Sequence, residues 1–147
     1  MERTFGTRLK AVSYYDRKGT YLVAVKDGKL AVVRTAKGYF LIGGGQFPGE
    51  SHEECVRREC LEETGCSIKL GSYLGSADAY GYYEKYGYFH PIQHYYTGEL
   101  ADKIQEPVEE DHTLEWIPCE IAEKCLYLKL QAWAVRHYLE KQPNKNH

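Results

Sequence analysis

Hydrophobic positions along the chain fall into short runs in the first third, give way to a charged segment, and return as aromatic-rich runs before a final apolar stripe. LKAVSYY (9–15) and TYLVAV (20–25) have the aromatic and β-branched content of strands, and Asp16 to Gly19 between them predicts a turn. LAVVR (30–34) and YFLI (39–42) predict a second pair joined around Lys37-Gly38. The first third therefore reads as mostly sheet.

Residues 51–64 contain neither Gly nor Pro, open on Ser51 with Glu54 three residues later, and stop at Gly65. That is a capping box followed by a C-terminal glycine, and it predicts a helix. From Ser67 to Leu100, apolar and aromatic runs broken by glycines predict two or three strands with a long hairpin. ADKIQEPVEEDH (101–112) reads as a polar, acidic loop, LEWI (114–117) as a short strand, and Pro118 as the start of a helix to about Cys125. Leu128, Leu130, Ala132, Trp133, Val135, His137 and Leu139 suit a packed terminal helix over 128–141, followed by a frayed tail from Gln142 to His147. This order of elements predicts an α/β domain with a mixed sheet between helices. At 147 residues one domain is expected over 1–147, with an ordered core from about residue 8 to 141.

Composition narrows the function classes. With 43% hydrophobic and 27% charged residues the chain is globular in character. No signal-peptide core and no run near 18 apolar residues is present, so a cytoplasmic protein without a membrane segment is expected. A net charge of −2 gives no basic footprint for a nucleic-acid polymer, and none is expected as partner. A small phosphorylated ligand remains open, because a metal ion can supply the positive charge. Cys55, Cys60, Cys66, Cys119 and Cys125 show neither disulfide nor zinc spacing and are read as free thiols, those within the helix serving as small hydrophobes.

The charged segment, GGGQFPGESHEECVRRECLEETG (43–65), carries the chemistry. At about 100° per residue, Glu59, Glu62 and Glu63 fall in one arc of the helix roughly 100° wide, whereas Glu53 and Glu54 lie elsewhere. Like charges at i, i+3 and i+4 repel, so something should offset them. Two readings compete: an exposed face laced with Glu54–Arg58 and Arg58–Glu62 pairs, or a carboxylate face for a hard divalent cation. The preceding glycines favour the second, since they let backbone approach a metal or phosphate closely.

The spacing Gly44, Glu50, Arg58-Glu59-Cys60, Glu62-Glu63 and Gly65-Cys66 resembles the Nudix box, G-x5-E-x7-R-E-U-x-E-E-x-G-U, with U a bulky aliphatic residue. All seven fixed residues are present, a coincidence of about 10⁻⁸ at background frequencies of roughly 6 to 7% each. Cys60 and Cys66 replace the aliphatic residues, Ile42 stands where proline is common, and Phe47 where an acid is common.

The resemblance implies a Nudix-like α/β/α sandwich and hydrolysis of a nucleoside diphosphate linked to another moiety, with Mg²⁺ as cofactor or Mn²⁺ in its place. It implies that Glu59, Glu62 and Glu63 are metal ligands, with the Gly43 carbonyl completing the shell. Arg58 and Glu50 would orient the helix, and Glu59 is one candidate base. From the acidic loop, Glu106, Glu109, Glu110 and Asp111 are further candidates for ligand or base, with Glu109 or Glu110 preferred. The expected substrate is a small nucleotide, a normal or oxidised nucleoside triphosphate. The alternatives are a dinucleoside polyphosphate, on the tyrosine marker that Tyr82 or Tyr83 would supply, and a non-catalytic nucleotide-sensing or RNA-binding module. The proline marker of ADP-ribose hydrolases, due near Gly81, is absent. Phe47 is a candidate for the substrate entrance and Arg34, taken to end a strand near the glycines, for a phosphate contact. His90 and His94 are read as ordinary sheet histidines.

Overall fold

A computed structural model describes residues 2–142. Among them are nine strands and three helices: β1 (Glu2–Phe5), β2 (Tyr15–Val23), β3 (Val25–Lys26), β4 (Lys29–Thr35), β5 (Gly38–Gly45), α1 (His52–Thr64), β6 (Cys66–Ala79), β7 (Gly81–Tyr83), β8 (Gly87–Lys103), β9 (Thr113–Pro118), α2 (Cys119–Cys125) and α3 (Lys129–Lys141). The strands follow the order β1-β6-β8-β2-β5-β4-β3, with β7 on β8 and β9 on β4. Parallel pairs (β1 with β6, β2 with β8) and antiparallel pairs occur together, so the sheet is mixed as expected.

The continuous apolar runs of β2 and β4 arise because both faces of these strands are covered. Tyr21, Val23, Leu30, Val32 and Leu41 pack with Ala122, Leu126, Leu130, Ala134 and Val135 of the α2–α3 layer. Their neighbours in sequence, Leu22, Ala24, Ala31, Val33 and Ile42, pack with Val56 and Cys60 of α1. Strand alternation thus divides two cores between the two faces. Helix α1 has the anticipated capping box, with Glu54 N–H donating to Ser51 Oγ at 3.1 Å and Ser51 N–H donating to Glu54 Oε1 at 2.9 Å. Among the described residues no helix is long and apolar enough to cross a membrane.

Two expectations at the N-terminus are overturned. Residues 9–14 lie in loop and turn, and Asp16 to Gly19 belong to the middle of β2. Pairing with β8 over the whole of β2, from Tyr15 opposite Phe89 to Val23 opposite Thr97, overrides the local turn preference. The ordered part also begins before residue 8: β1 pairs with β6, and Thr4 Oγ1 donates to Asp78 at 2.7 Å. Its sequence, ERTF, has too little apolar character to signal a strand. The expected tail from 143 onward lies outside the described residues.

The feature that builds the site is a fork in β5. Its first half pairs with β4 (Leu41 opposite Val32) and its second half with β2 (Ile42 opposite Leu22, Gly45 opposite Gly19). Residues 43–45 are therefore strand, not loop, and one edge of them is left open by β4. Gln46 N–H bonds back to the Lys18 carbonyl, so the even-numbered residues face β2 and Gly43 and Gly45 turn their polar groups to the open edge.

Gly65 closes α1 in the left-handed region at φ 78°, and a Cβ there would stand 1.9 Å from the Gln105 carbonyl oxygen. Gly65→Ala is expected to lower the melting temperature by roughly 3–8 °C, equivalent to about 1–2 kcal/mol. Thermal unfolding followed by circular dichroism checks this, and an unchanged midpoint would contradict the tight turn.

Candidate active site

Two side chains of α1, Glu63 and Glu59, meet the second half of β5. Glu63, buried with a side chain only 5% exposed, accepts the Gly43 N–H at 2.9 Å. Glu59 lies over Gly44, where an added Cβ would sit 2.2 Å from Glu59 Oε1, so no larger residue fits without moving the carboxylate. Glu62 stands on the more exposed side of the same arc. The arrangement expected from helical spacing is therefore formed, against the strand segment that the glycines open.

Arg58 ties it together. Its Nε and Nη2 donate to the two oxygens of Glu50 at 2.7 and 2.9 Å, a bidentate fork. Nη1 donates to Glu59 at 2.7 Å and lies 3.3 Å from Glu62, while Nη2 also donates to the Gly45 carbonyl at 2.9 Å. Glu50 accepts the Phe47 N–H at 2.9 Å as well, and Arg58 holds its carboxyl down at about 2, well below the usual carboxylate range. The surface ladder considered from sequence is not formed in full. The Arg58–Glu62 contact exists, but Glu54 is committed to the capping box and Glu53 pairs with Arg57 at 3.0 Å.

The acidic loop between β8 and β9 is docked on the C-terminal end of α1. Val108 and Glu109 N–H groups donate to the Glu62 carbonyl at 2.8 and 3.1 Å, and Ile104 N–H to the Gly65 carbonyl at 2.9 Å. These bonds satisfy carbonyls that a helix end leaves free. They place Glu109, Asp111 and His112 in one cluster whose ligand atoms lie within 4.8 Å of one another. His112 Nδ1 comes 3.2 Å from Glu63 Oε2, off the line of a hydrogen bond and without another partner. His112 escapes sequence reasoning because nothing local distinguishes it from a loop histidine. Glu110 is exposed, and Glu106 pairs with Lys103 at 2.9 Å.

Electrostatics mark the trio as short of positive charge. Burial pushes the Glu63 carboxyl up to about 9, and the charges of Glu59, Glu109 and Glu62 add to this against the Gly43 N–H. Burial also raises Glu59, opposed by Arg58. One guanidinium serves Glu50, Glu59 and Glu62, and Glu63 receives only an amide from the strand. Carboxylate oxygens with the outward-turned backbone of Gly43 are the donor set of a hard divalent cation, and these residues fit one.

The expected substrate contacts fare differently. Phe47 is 57% exposed, with the Arg58 guanidinium 3.8 Å from its ring centroid, and it stands beside the site. Arg34 is not near the glycines. It sits opposite Tyr39, four residues or roughly 13 Å along β5 from Gly43, and is paired with Glu115. Residues 30–34 do form strand, but the hairpin carries Arg34 and Gly43 to different ends. Tyr82 and Tyr83 are exposed on β7 beside Phe89, six residues or roughly 20 Å along β8 from Tyr95, which adjoins the Gly43 row. They make edge contacts with Tyr88 and Phe89 at 5.2 and 5.1 Å and do not reach the carboxylates. His90 is buried between Asp16 (2.8 Å) and Asp78 (2.7 Å), fastening β2 and β6 to β8, and His94 meets Tyr73 at 3.0 Å.

The architecture is a mixed sheet between helices, with a carboxylate-bearing helix set beside the second half of β5. The family model for the NUDIX domain matches residues 10–140, and the chain belongs to the Nudix hydrolase family. Members of that family generally use divalent metal ions. The chain is 28% identical over 136 aligned positions to the NAD-capped RNA hydrolase NudC of Haemophilus influenzae, covering 79% of this chain and 49% of that protein. It thus spans about half the length of the curated relatives it matches. Its fold is similar to a MutT NUDIX hydrolase from Burkholderia pseudomallei (TM-score 0.70, 21% identity, 84% of this chain and 98% of that one). It is also similar to the MutT protein from Methanosarcina mazei Go1 (TM-score 0.67, 19% identity, 90% and 100%).

The buried carboxyl has a consequence for the metal-free protein. With Glu63 raised from 4.5 to about 9, the folded state holds a proton that the unfolded chain releases, so stability falls as pH rises through that window. Denaturant melts in chelator from pH 5 to pH 9 are expected to show this decline. Glu63→Gln, which carries no titrating group, should flatten it, and identical pH profiles would contradict the assignment.

Proposed function

We propose that the chain is a Mg²⁺-dependent pyrophosphohydrolase that cleaves the diphosphate of a nucleoside diphosphate linked to another moiety, with a normal or oxidised nucleoside triphosphate as substrate. The observation that carries this reading is Glu63, a buried carboxylate at an open strand edge beside Glu59 and Glu62, supported by one shared guanidinium. A divalent cation bound there would neutralise the charge of a diphosphate and activate water for in-line attack on phosphorus.

In this reading Arg58, locked by Glu50, holds Glu59 and Glu62 in position for the metal. The Gly43 N–H fixes the Glu63 carboxylate, leaving the outward-turned Gly43 carbonyl to complete the oxygen set. Glu109 and His112 stand at the other side of Glu63 through the bonds that dock their loop. Either can take a proton from attacking water, alongside Glu59, and no covalent nucleophile is required. Mn²⁺ would serve in place of Mg²⁺, since both prefer oxygen donors.

The name of the NudC relatives raises a second reading, in which the attached moiety is the body of an NAD-capped RNA. A dinucleoside polyphosphate is a third, now without the help of Tyr82 and Tyr83. The intact carboxylate set weighs against a non-catalytic sensing module.

Glu62→Gln and Glu63→Gln are each expected to lower Mg²⁺-dependent turnover by about 100-fold or more with the fold retained, because charge is lost at nearly constant volume. Gly44→Ala, whose methyl would stand 2.2 Å from Glu59 Oε1, should lower it as well. A panel of nucleoside triphosphates, oxidised nucleotides, ADP-ribose, nucleotide sugars, dinucleoside polyphosphates and NAD-capped RNA, with products identified, tests both the variants and the substrate class. Wild-type turnover in the two glutamine variants would overturn the metal assignment.

A further inference from the structure

Helix α3 buries Leu130, Ala134 and Val135 against the sheet, and among these apolar side chains Gln131 is 0% exposed. A carboxamide in that position costs stability unless its polar atoms are met. Its oxygen accepts the Leu41 N–H at 2.8 Å, and its nitrogen donates to Gln93 Oε1 at 3.3 Å. The same Gln93 oxygen accepts the hydroxyl of the buried Tyr95 at 2.9 Å. A backbone N–H can only donate, so the Gln131 oxygen must face Leu41 and its nitrogen must face Gln93. The network has one orientation, and it runs from β8 through α3 to the backbone of β5.

The residue it reaches is where β5 changes partner. Leu41 is the last residue opposite β4, and Ile42 is the first opposite β2. Neither ladder runs through both Leu41 and Gly43. Backbone groups of residues two apart point to the same edge of a strand, and along the odd-numbered residues of β5 each is met. The Tyr39 carbonyl accepts the Tyr127 N–H, Leu41 N–H donates to Gln131, Gly43 N–H donates to Glu63, and the Gly45 carbonyl accepts from Arg58. The α2–α3 connection and α3 itself hold the first two positions, and side chains of α1 hold the last two. Gln131 is thus the last contact of its layer before the glycines. Those glycines restrain themselves poorly: Gly43 has φ 144°, which side-chain-bearing residues rarely adopt, and its N–H can turn at little cost.

We infer that Gln131 is a positioning residue: by holding the Leu41 N–H it fixes the strand across its change of partner, and with it the Gly43 N–H on which the Glu63 carboxylate rests. The inference rests on the pyrophosphohydrolase reading, in which Glu63 is a metal ligand, and adds a residue from the opposite layer on which that ligand depends. Removing the Gln131 oxygen leaves the Leu41 N–H without its acceptor, and the strand relieves this by turning at Leu41, Ile42 and Gly43.

Three variants of the full chain test this. Gln131→Met keeps the length of the side chain and removes its acceptor. Gln131→Glu keeps an acceptor for Leu41 and, with its buried carboxyl protonated, a donor for Gln93. Val135→Ala opens a cavity in the same layer, from a side chain that takes no part in these hydrogen bonds. The first readout is the amide exchange rate of Gly43 in the metal-free protein, by nuclear magnetic resonance, divided by that of the β8 amides. Strand β8 is paired on both sides, so the ratio cancels a change in global stability. The second readout is the Kd for Mn²⁺. Gln131→Met is expected to raise the Gly43 ratio about tenfold and to weaken Mn²⁺ binding about fivefold, while the other two variants stay within about twofold of wild type. An unchanged ratio or Mn²⁺ affinity in Gln131→Met, equal changes in Val135→Ala, or losses in Gln131→Glu as large as in Gln131→Met would overturn the role. A wild-type chain that binds no Mn²⁺ would instead refute the metal reading, which the exchange ratio does not require.

Discussion

The site depends on one guanidinium. Arg58 meets Glu50 through a bidentate fork and reaches Glu59, Glu62 and the Gly45 carbonyl with its remaining donors, so it joins the connection before α1, the helix and the strand edge. Carboxylates crowded on one helix face repel each other, and a single rigid cation between them reduces the cost while fixing their directions. Glu50 supplies the fork that fixes the plane of the guanidinium, and the Gly45 carbonyl, Glu59 and Glu62 take its remaining donors. Replacing Arg58 by Lys would not reproduce this, since an ammonium cannot form the fork.

Around that hub the backbone supplies what side chains cannot. The fork in β5 frees one edge at Gly43 and Gly45, and the small residue at 44 leaves room for Glu59. The loop after β8 then satisfies the carbonyls at the end of α1 and delivers Glu109 and His112 to the buried Glu63. The carboxylates of α1 are thereby gathered beside the second half of β5.

Much of this is legible in the sequence, for identifiable reasons. Caps and helical spacing are local, so α1 and the common face of Glu59, Glu62 and Glu63 follow from residues 51–65 alone. The apolar runs of β4 and β5 likewise declare strands. What fails is set by distant partners. LKAVSY (9–14) has strand-like residues but no partner strand, whereas Asp16 to Gly19, turn-like in isolation, are held in β2 by β8. Strand β1, whose only apolar residue is Phe5, is visible only through β6. Arg34 shows that a strand end can be recognised without knowing which end faces the site. His112 becomes notable only when its loop is brought to the carboxylates.

Glu59, Glu62 and Glu63 are proposed as a divalent cation site. Its most direct test is a titration of Mn²⁺ followed by the electron paramagnetic resonance of the free ion. Binding is expected from the wild-type chain and from Glu53→Gln, whose carboxylate pairs with Arg57 on the helix surface, and at least about tenfold weaker binding from Glu59→Gln, Glu62→Gln and Glu63→Gln. Equal Mn²⁺ affinity in all of these proteins would contradict it.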